Sequence, residues 1–161
     1  MKEIHADDKT VREVLDKVKY IVDFFQREYR WERKHIEQLI DDLTTKFFAN
    51  YDESHERPEV QSYDRYYLGP IVLSIKKEGR SIIDGQQRLT SVTLLLIYLN
   101  NLQKDRKDSV SLEHLIFSEA YSVKSFNLQV EDRKECIEAL YNGQEYDAVG
   151  KGESVLNIIE R

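Results

Sequence analysis

Apolar residues recur at helical spacing near the start of the chain, at Val11, Val14, Leu15 and Val18. Thr10 and Glu13 stand just before and within this run, at the spacing of a capping box. In such a box each side chain binds the backbone amide of the other residue. We therefore predict a first helix over about residues 10–19. A second helix is predicted from about Glu32, with an apolar face at Ile36, Leu39, Ile40, Leu43, Phe47 and Phe48.

The middle of the chain has the pattern of a strand pair followed by a buried helix. Residues 50–65 are polar and contain Pro58, which indicates a surface loop. Two strands are predicted over about residues 66–76 and 80–84, joined by a turn at Glu78–Gly79. The segment that follows is apolar on nearly every side, with Leu89, Val92, Leu94, Leu95, Leu96, Ile97 and Leu99. A helix of that kind is expected to be buried, here against the sheet.

Shorter elements complete the pattern. We predict a short helix over 111–117, a strand over 121–128 and a helix over 132–140 that Asn142 and Gly143 end. An amphipathic helix begins near Glu153, and the chain stops within it, so we expect the natural protein to continue past Arg161. Together these elements predict one α+β domain over residues 1–161, with a small mixed β-sheet packed against helices.

Composition and charge narrow the classes of function. The net charge of −6 argues against a broad basic surface for non-specific nucleic-acid binding. The single cysteine, Cys136, allows no internal disulfide and indicates a reducing, cytoplasmic setting. The longest unbroken apolar run, from Leu94 to Leu99, is far too short to span a membrane, and we expect no membrane partner.

Four polar side chains stand at the start of the apolar helix, at Asp84, Gln86, Gln87 and Arg88. Asp84 is at the expected N-cap position, and Gln87 would complete an acidic variant of the capping box. Gly85 permits a tight turn or a close approach of the backbone to a ligand. A helix N-terminus with free amide groups and an adjacent arginine is a suitable phosphate site.

Phosphoryl transfer is the chemistry that these four residues suggest. Mg²⁺ held by Asp84 and the phosphates would remove the repulsion between carboxylate and ligand. Gln86 or Gln87 could orient an attacking water, and Arg88 could stabilise the developing charge. A structural interpretation stands beside this one. Asp84 then caps the helix, the glutamines satisfy buried backbone groups, and Arg88 pairs with an acid.

A second Gln-Arg pair occurs in the segment FFQREYRW, residues 24–31. Gln26 and Arg27 are candidates for a second contact to the same anion, and Tyr29 offers a ring for base stacking. For Tyr29 and Trp31 the alternative is a role as aromatic anchors of the core, which is the commoner use of large aromatic residues. Arg27, Arg30, Arg33 and Lys34 also form a local basic cluster, so a DNA-recognition module without catalysis is a second hypothesis.

Three segments together resemble one known family. YIVDFFQREYRW, YYLGPIVL and IIDGQQRLTSVTLLL occur here in the order typical of the GmrSD-type restriction endonuclease N-terminal domain family, also called domain of unknown function 262. The resemblance is best over residues 8–100. EDRKECIEALYNG resembles the family's next Asp-Arg segment less specifically.

The resemblance implies a ParB/sulfiredoxin-like fold and a role in modification-dependent (type IV) restriction or phage defence. It implies a domain that binds and hydrolyses nucleoside triphosphates through Asp84, Gly85, Gln86, Gln87 and Arg88, assisted by Gln26 and Arg27. DNA would be reached through the full-length protein, with a His-Asn-His nuclease domain in cis or in trans. Nuclease activity is not expected of the 161 residues alone, and an inactive folded fragment is a third possibility.

Overall fold

The computed structural model describes residues 4–22, 28–76, 79–120 and 123–159. The helices are α1 Val11–Leu15, α2 Arg33–Phe48, α3 Gln86–Leu102, α4 Glu113–Ile116, α5 Lys134–Asn142 and α6 Glu153–Ile159. The strands are β1 Tyr20–Val22, β2 Val72–Lys76, β3 Gly79–Asp84, β4 Phe117–Ala120, β5 Val123–Phe126 and β6 Leu128–Gln129. Two short 3₁₀ helices cover Arg57–Ser62 and Glu131–Arg133. This mixture confirms the predicted fold class, small sheets packed against helices.

The chain forms two compact units, one of residues 1–27 with 71–147 and the other of residues 28–70 with 148–161. A four-stranded sheet in the first unit has the order β2–β3–β1–β6. Strands β2 and β3 form an antiparallel pair, whereas β1 runs parallel to both β3 and β6. The carboxyl ends of β3, β1 and β6 therefore lie at the same edge of the sheet.

The helices of the first unit enclose an apolar core beside the β4–β5 hairpin. Its buried members are Ile97 of α3, Ile116, Phe126 and Ile137 of α5. Buried Asn127 connects separate elements of this unit. Its Nδ2 donates to the carbonyl of Leu15 at 2.8 Å and to that of His114 at 3.2 Å.

In the second unit, Tyr29 is hydrogen-bonded to two residues of α6. The Tyr29 backbone N–H donates to Ser154 Oγ at 2.8 Å, and Asn157 Nδ2 donates to the Tyr29 carbonyl at 2.9 Å. Tyr66 Oη donates to Asp42 Oδ2 of α2 at 3.0 Å. The buried apolar side chains of the helices here are Leu39, Val155 and Ile158.

Local start and stop signals are confirmed in three places. Thr10 and Glu13 form the predicted capping box. Helix α2 begins directly after Glu32. Gly143 ends α5 in a left-handed conformation.

Several predicted extents are wrong. Helix α1 ends at Leu15 instead of residue 19, and the first strand of the hairpin begins at Val72 instead of residue 66. The range of the strand predicted over 121–128 holds two short strands, β5 and β6, and β4 precedes it, beginning at Phe117 where the predicted helix over 111–117 was expected to end. A strand extends only as far as its partner's hydrogen bonds do, and the pattern of one segment does not contain that information.

Burial along α3 also differs from the prediction. Its first half is buried as expected, but Tyr98, Leu99 and Leu102 are exposed near its end. The predicted apolar face of α2 likewise buries only Leu39, and Ile40, Phe47 and Phe48 are exposed. Glu78 of the predicted turn lies outside the described residues.

Candidate functional site

The Asp-Gly-Gln-Gln-Arg turn connects the end of β3 to the start of α3. Asp84 is the last residue of β3 and pairs with Val72 of β2. Gly85 follows as the N-cap residue, with φ 95° and ψ 5°. Its carbonyl accepts the backbone N–H of Leu89 at 3.0 Å, which begins the hydrogen-bond ladder of the helix.

The prediction that Asp84 caps the helix is wrong. The cap is Gly85, and no side chain caps this end of α3, so Gln87 does not complete a capping box. Asp84 is instead held extended by its pairing in the sheet. The chain reverses at Gly85, where the left-handed conformation is readily adopted by glycine alone.

Asp84 and Arg88 form an ion pair at the mouth of the turn. Arg88 Nη1 lies 3.6 Å from Asp84 Oδ2, and the exposed fractions of the two side chains are 27% and 62% respectively. This contact agrees with the structural interpretation that Arg88 pairs with an acid. It also leaves a largely exposed carboxylate and a partly exposed guanidinium side by side at a helix N-terminus.

The two glutamines have different environments. Gln86 is partly buried, and its Oε1 is a buried atom without a hydrogen-bond partner among the described residues. The carbonyl of Gln87 accepts a hydrogen bond from Ser91 Oγ at 2.9 Å. A buried acceptor without a donor is uncommon in folded proteins and is normally satisfied by water or a ligand.

Sheet topology brings one further charged residue to this edge. The Glu131–Arg133 turn follows β6, whose carboxyl end lies at the same edge as that of β3. Arg133 is only 2% exposed, which is unusual for an arginine. Arg133 belongs to the segment EDRKECIEALYNG, which resembles the family's Asp-Arg segment, but the sequence predicted no role for this residue.

The structure describes only the second part of the QREYRW segment, from Glu28 onwards. Gln26 and Arg27 lie outside the described residues. Tyr29 belongs to the second unit and is 1% exposed, and Trp31 is half-buried and stacks on His35 with ring centroids 5.9 Å apart. These environments agree with aromatic anchors of the core, the alternative that the sequence favoured for both residues.

Three basic residues proposed for DNA binding, Arg30, Arg33 and Lys34, are each paired with a nearby carboxylate. Arg30 contacts Glu28, which raises the pKa of the guanidinium through a hydrogen bond. Arg33 Nε lies 2.9 Å from Glu37 Oε1, and Lys34 Nζ lies 2.8 Å from Glu32 Oε2. These surface pairs partly neutralise the basic cluster.

In the part of the chain that the structure describes, no group of three or more histidine, cysteine, aspartate or glutamate side chains is arranged to hold a metal ion. No helix described there is long and apolar enough to cross a bilayer.

Fold and turn together define a mixed α/β protein in which an Asp-Gly-Gln-Gln-Arg turn links a sheet strand to a long helix. The family model for the N-terminal domain of the GmrSD restriction endonuclease matches residues 11–159. The chain belongs to this family, as its sequence motifs predicted, and it is thereby associated with a restriction system. No curated protein sequence matches the chain significantly.

Proposed function

We propose that the chain is a nucleoside-triphosphate-binding and hydrolysing regulatory module of a modification-dependent restriction or phage-defence system. The observation that carries the proposal is the corner at Gly85. There a left-handed glycine begins α3 at the carboxyl edge of parallel strands, with Arg88 and Asp84 in contact beside it. In open α/β sheets, ligands bind at the carboxyl ends of the strands.

Helix and arginine would act on the same anion. The N-terminus of α3 presents backbone N–H groups and the positive end of the helix dipole, which are suited to bind a phosphate. Arg88 adds a full positive charge one turn into the helix. A bound phosphate would then compete with Asp84 for Arg88, and breaking one exposed ion pair costs little.

Asp84 fits a role as a magnesium ligand. Its carboxylate is largely exposed, and Mg²⁺ is commonly bound through one or two carboxylates together with substrate phosphates and water. The metal would neutralise phosphate charge when bound. Gln86 supplies the unsatisfied Oε1 acceptor, which is suited to accept a hydrogen bond from a water and hold it in place.

Family membership supports the partner in this proposal. The matched family is the N-terminal domain of a restriction endonuclease, so the activity that this module would regulate is DNA cleavage by a nuclease domain in cis or in trans. A His-Asn-His nuclease domain is our specific proposal for it. The nuclease activity would then depend on whether the module holds nucleoside triphosphate or its hydrolysis product.

Phosphate release tests the proposal directly. The natural full-length protein is assayed with GTP, ATP, CTP and UTP in the presence of Mg²⁺, alongside the Arg88→Ala variant. Arg106→Ala is the matched control, since Arg106 Nε lies 3.5 Å from Asp108 Oδ1 in a comparable ion pair away from the turn. We expect turnover of at least one nucleotide, lost in Arg88→Ala and kept in Arg106→Ala. If the protein neither hydrolyses nor binds any of the four nucleotides, the proposal is refuted.

A further inference from the structure

The second unit carries an exposed cluster of aromatic side chains at the end of α2. This aromatic face consists of Phe47, Phe48, Tyr51 and Tyr63. The Phe47 ring centroid lies 5.4 Å from that of Phe48, 5.2 Å from that of Tyr51 and 5.7 Å from that of Tyr63. Phe48 is 66% exposed, and Phe47 and Tyr51 are exposed as well.

The rings hold one another in a fixed arrangement. The Phe47 and Tyr51 rings are stacked, and Phe48 meets both of them nearly edge-on. Tyr63 is fixed by its hydroxyl, which lies 2.9 Å from His55 Nδ1. A rigid group of aromatic side chains loses little conformational entropy on binding, which is why such groups form the centres of protein interfaces.

The aromatic face lies within an acidic stretch of the chain, whose acidic side chains are exposed except for Asp42 and are called its acidic rim. Residues 41–64 contain seven acidic residues, Asp41, Asp42, Asp52, Glu53, Glu56, Glu59 and Asp64. The same stretch has only two basic residues, Lys46 and Arg57, so its formal charge is −5 out of −6 for the whole chain. The remaining 137 residues together carry only −1. The negative charge of this protein is therefore concentrated where its aromatic rings are exposed.

We infer that the aromatic face and its acidic rim are the docking site for the basic, DNA-binding surface of the nuclease domain. The inference rests on the proposed function for the identity of that partner. A surface that binds the DNA backbone must present lysine and arginine side chains, and an acidic rim is complementary to them. Guanidinium groups also bind favourably over aromatic rings.

Docking in this way would keep the nuclease surface away from DNA. Carboxylates around a rigid apolar centre would occupy the groups that otherwise contact phosphates, so the module and DNA compete for one surface. Stable interfaces bury about 800 Å² on each partner. The aromatic face would form the centre of such an area, and the acidic residues would form its rim.

Site-specific photocrosslinking tests the inference in the natural endonuclease, or in its two chains mixed if the nuclease is separate. A benzophenone amino acid replaces Phe48, and in a control protein it replaces Tyr98, which is 62% exposed in the first unit. We expect crosslinks from position 48, but not from 98, to a lysine- and arginine-rich segment of the nuclease domain. Unmodified duplex DNA in excess should suppress them.

Other crosslinking results would overturn the inference. Crosslinks from position 48 to a second copy of this chain show a different occupant, and no crosslinks show that the face is free. If the natural protein neither contains nor recruits a nuclease, the proposed function itself fails. If the nuclease cleaves DNA but the crosslinks lie elsewhere, the docking inference alone fails.

A variant pair supplies a second measurement. Phe48→Ser combined with Tyr51→Ser should raise cleavage of unmodified DNA by roughly tenfold, because truncating aromatic anchors releases the nuclease surface. Tyr98→Ser should leave cleavage unchanged. The thermal unfolding midpoint of both proteins is measured, and the double variant should lose only the ring contacts of Phe48 and Tyr51 and remain folded. Unchanged cleavage in the folded double variant would contradict the inference.

Discussion

Replacing Gly85 with alanine tests whether the corner of the site needs its left-handed backbone. Gly85 has φ 95°, and a Cβ in that region costs roughly 1–2 kcal/mol because it crowds the carbonyl oxygen. For a domain of about this size, each kcal/mol lowers Tm by about 2–4 °C. We therefore expect Gly85→Ala to lower Tm by roughly 2–8 °C.

Function should suffer more than stability does. Relief of the strain at residue 85 would shift the first amide groups of α3 and the side chain of Arg88. A displacement of about 1 Å at a site of phosphoryl transfer can reduce the rate by about a hundredfold. We therefore expect phosphate release to fall by roughly ten- to a hundredfold, while the protein remains folded.

Gly143→Ala is the matched control. Gly143 ends α5 with φ 68° and ψ 29°, and none of the described atoms comes within 4 Å of a Cβ built there. It should lose a similar amount of stability in a urea titration followed by circular dichroism, and it should keep full nucleotide turnover. If both variants lost nucleotide turnover equally, the cause would be lowered stability and not the geometry of the turn at Gly85. Normal stability and turnover in Gly85→Ala would refute the reasoning.

Three further predictions concern stability, reactivity and DNA. Burial raises the pKa of the Cys136 thiol to about 11. The free energy of unfolding from urea titrations should therefore fall between about pH 9 and 11, because the thiol ionises more readily in the unfolded chain than in the folded one. This part of the pH dependence should be absent in Cys136→Ala. Asn127→Leu removes the donor to the Leu15 and His114 carbonyls and should lower the free energy of unfolding, measured in urea, by about 2–4 kcal/mol. Asn142→Leu, at an exposed position, should lower it little. The 161 residues alone should give no gel shift with plain or modified DNA even at low salt, because the net charge of −6 and the carboxylates beside Arg30, Arg33 and Lys34 oppose phosphate binding. A salt-sensitive shift lost on replacing all three would support the DNA-recognition hypothesis.

The turn at residues 84–88 shows how far local reasoning extends. The sequence predicted a strand, a tight turn and a helix in this order, and all three are present. It assigned the helix cap to Asp84 because aspartate is a favoured cap residue. The sheet decided otherwise, since pairing with Val72 keeps Asp84 extended and leaves the reversal to Gly85.

Exposed apolar residues show the opposite limit. Helical periodicity placed Phe47 and Phe48 on the apolar face of α2, but periodicity only shows that residues share a face. Whether that face is covered depends on which elements pack on it, and those elements are distant in sequence. For the same reason the pattern gave no warning that Tyr98 and Leu102 would be exposed at the end of α3.

The sequence by itself determined the family, through motifs in a fixed order, and the helix ends at Thr10, Glu32 and Gly143, because capping depends on neighbouring residues alone. Only the tertiary structure decided that the ends of β3 and β6 share one edge, that Arg133 after β6 is buried, and that the aromatic rings at the end of α2 are exposed. Those features depend on strand order and packing between residues far apart in the chain, and a linear pattern of apolar and polar positions does not encode which distant segments meet.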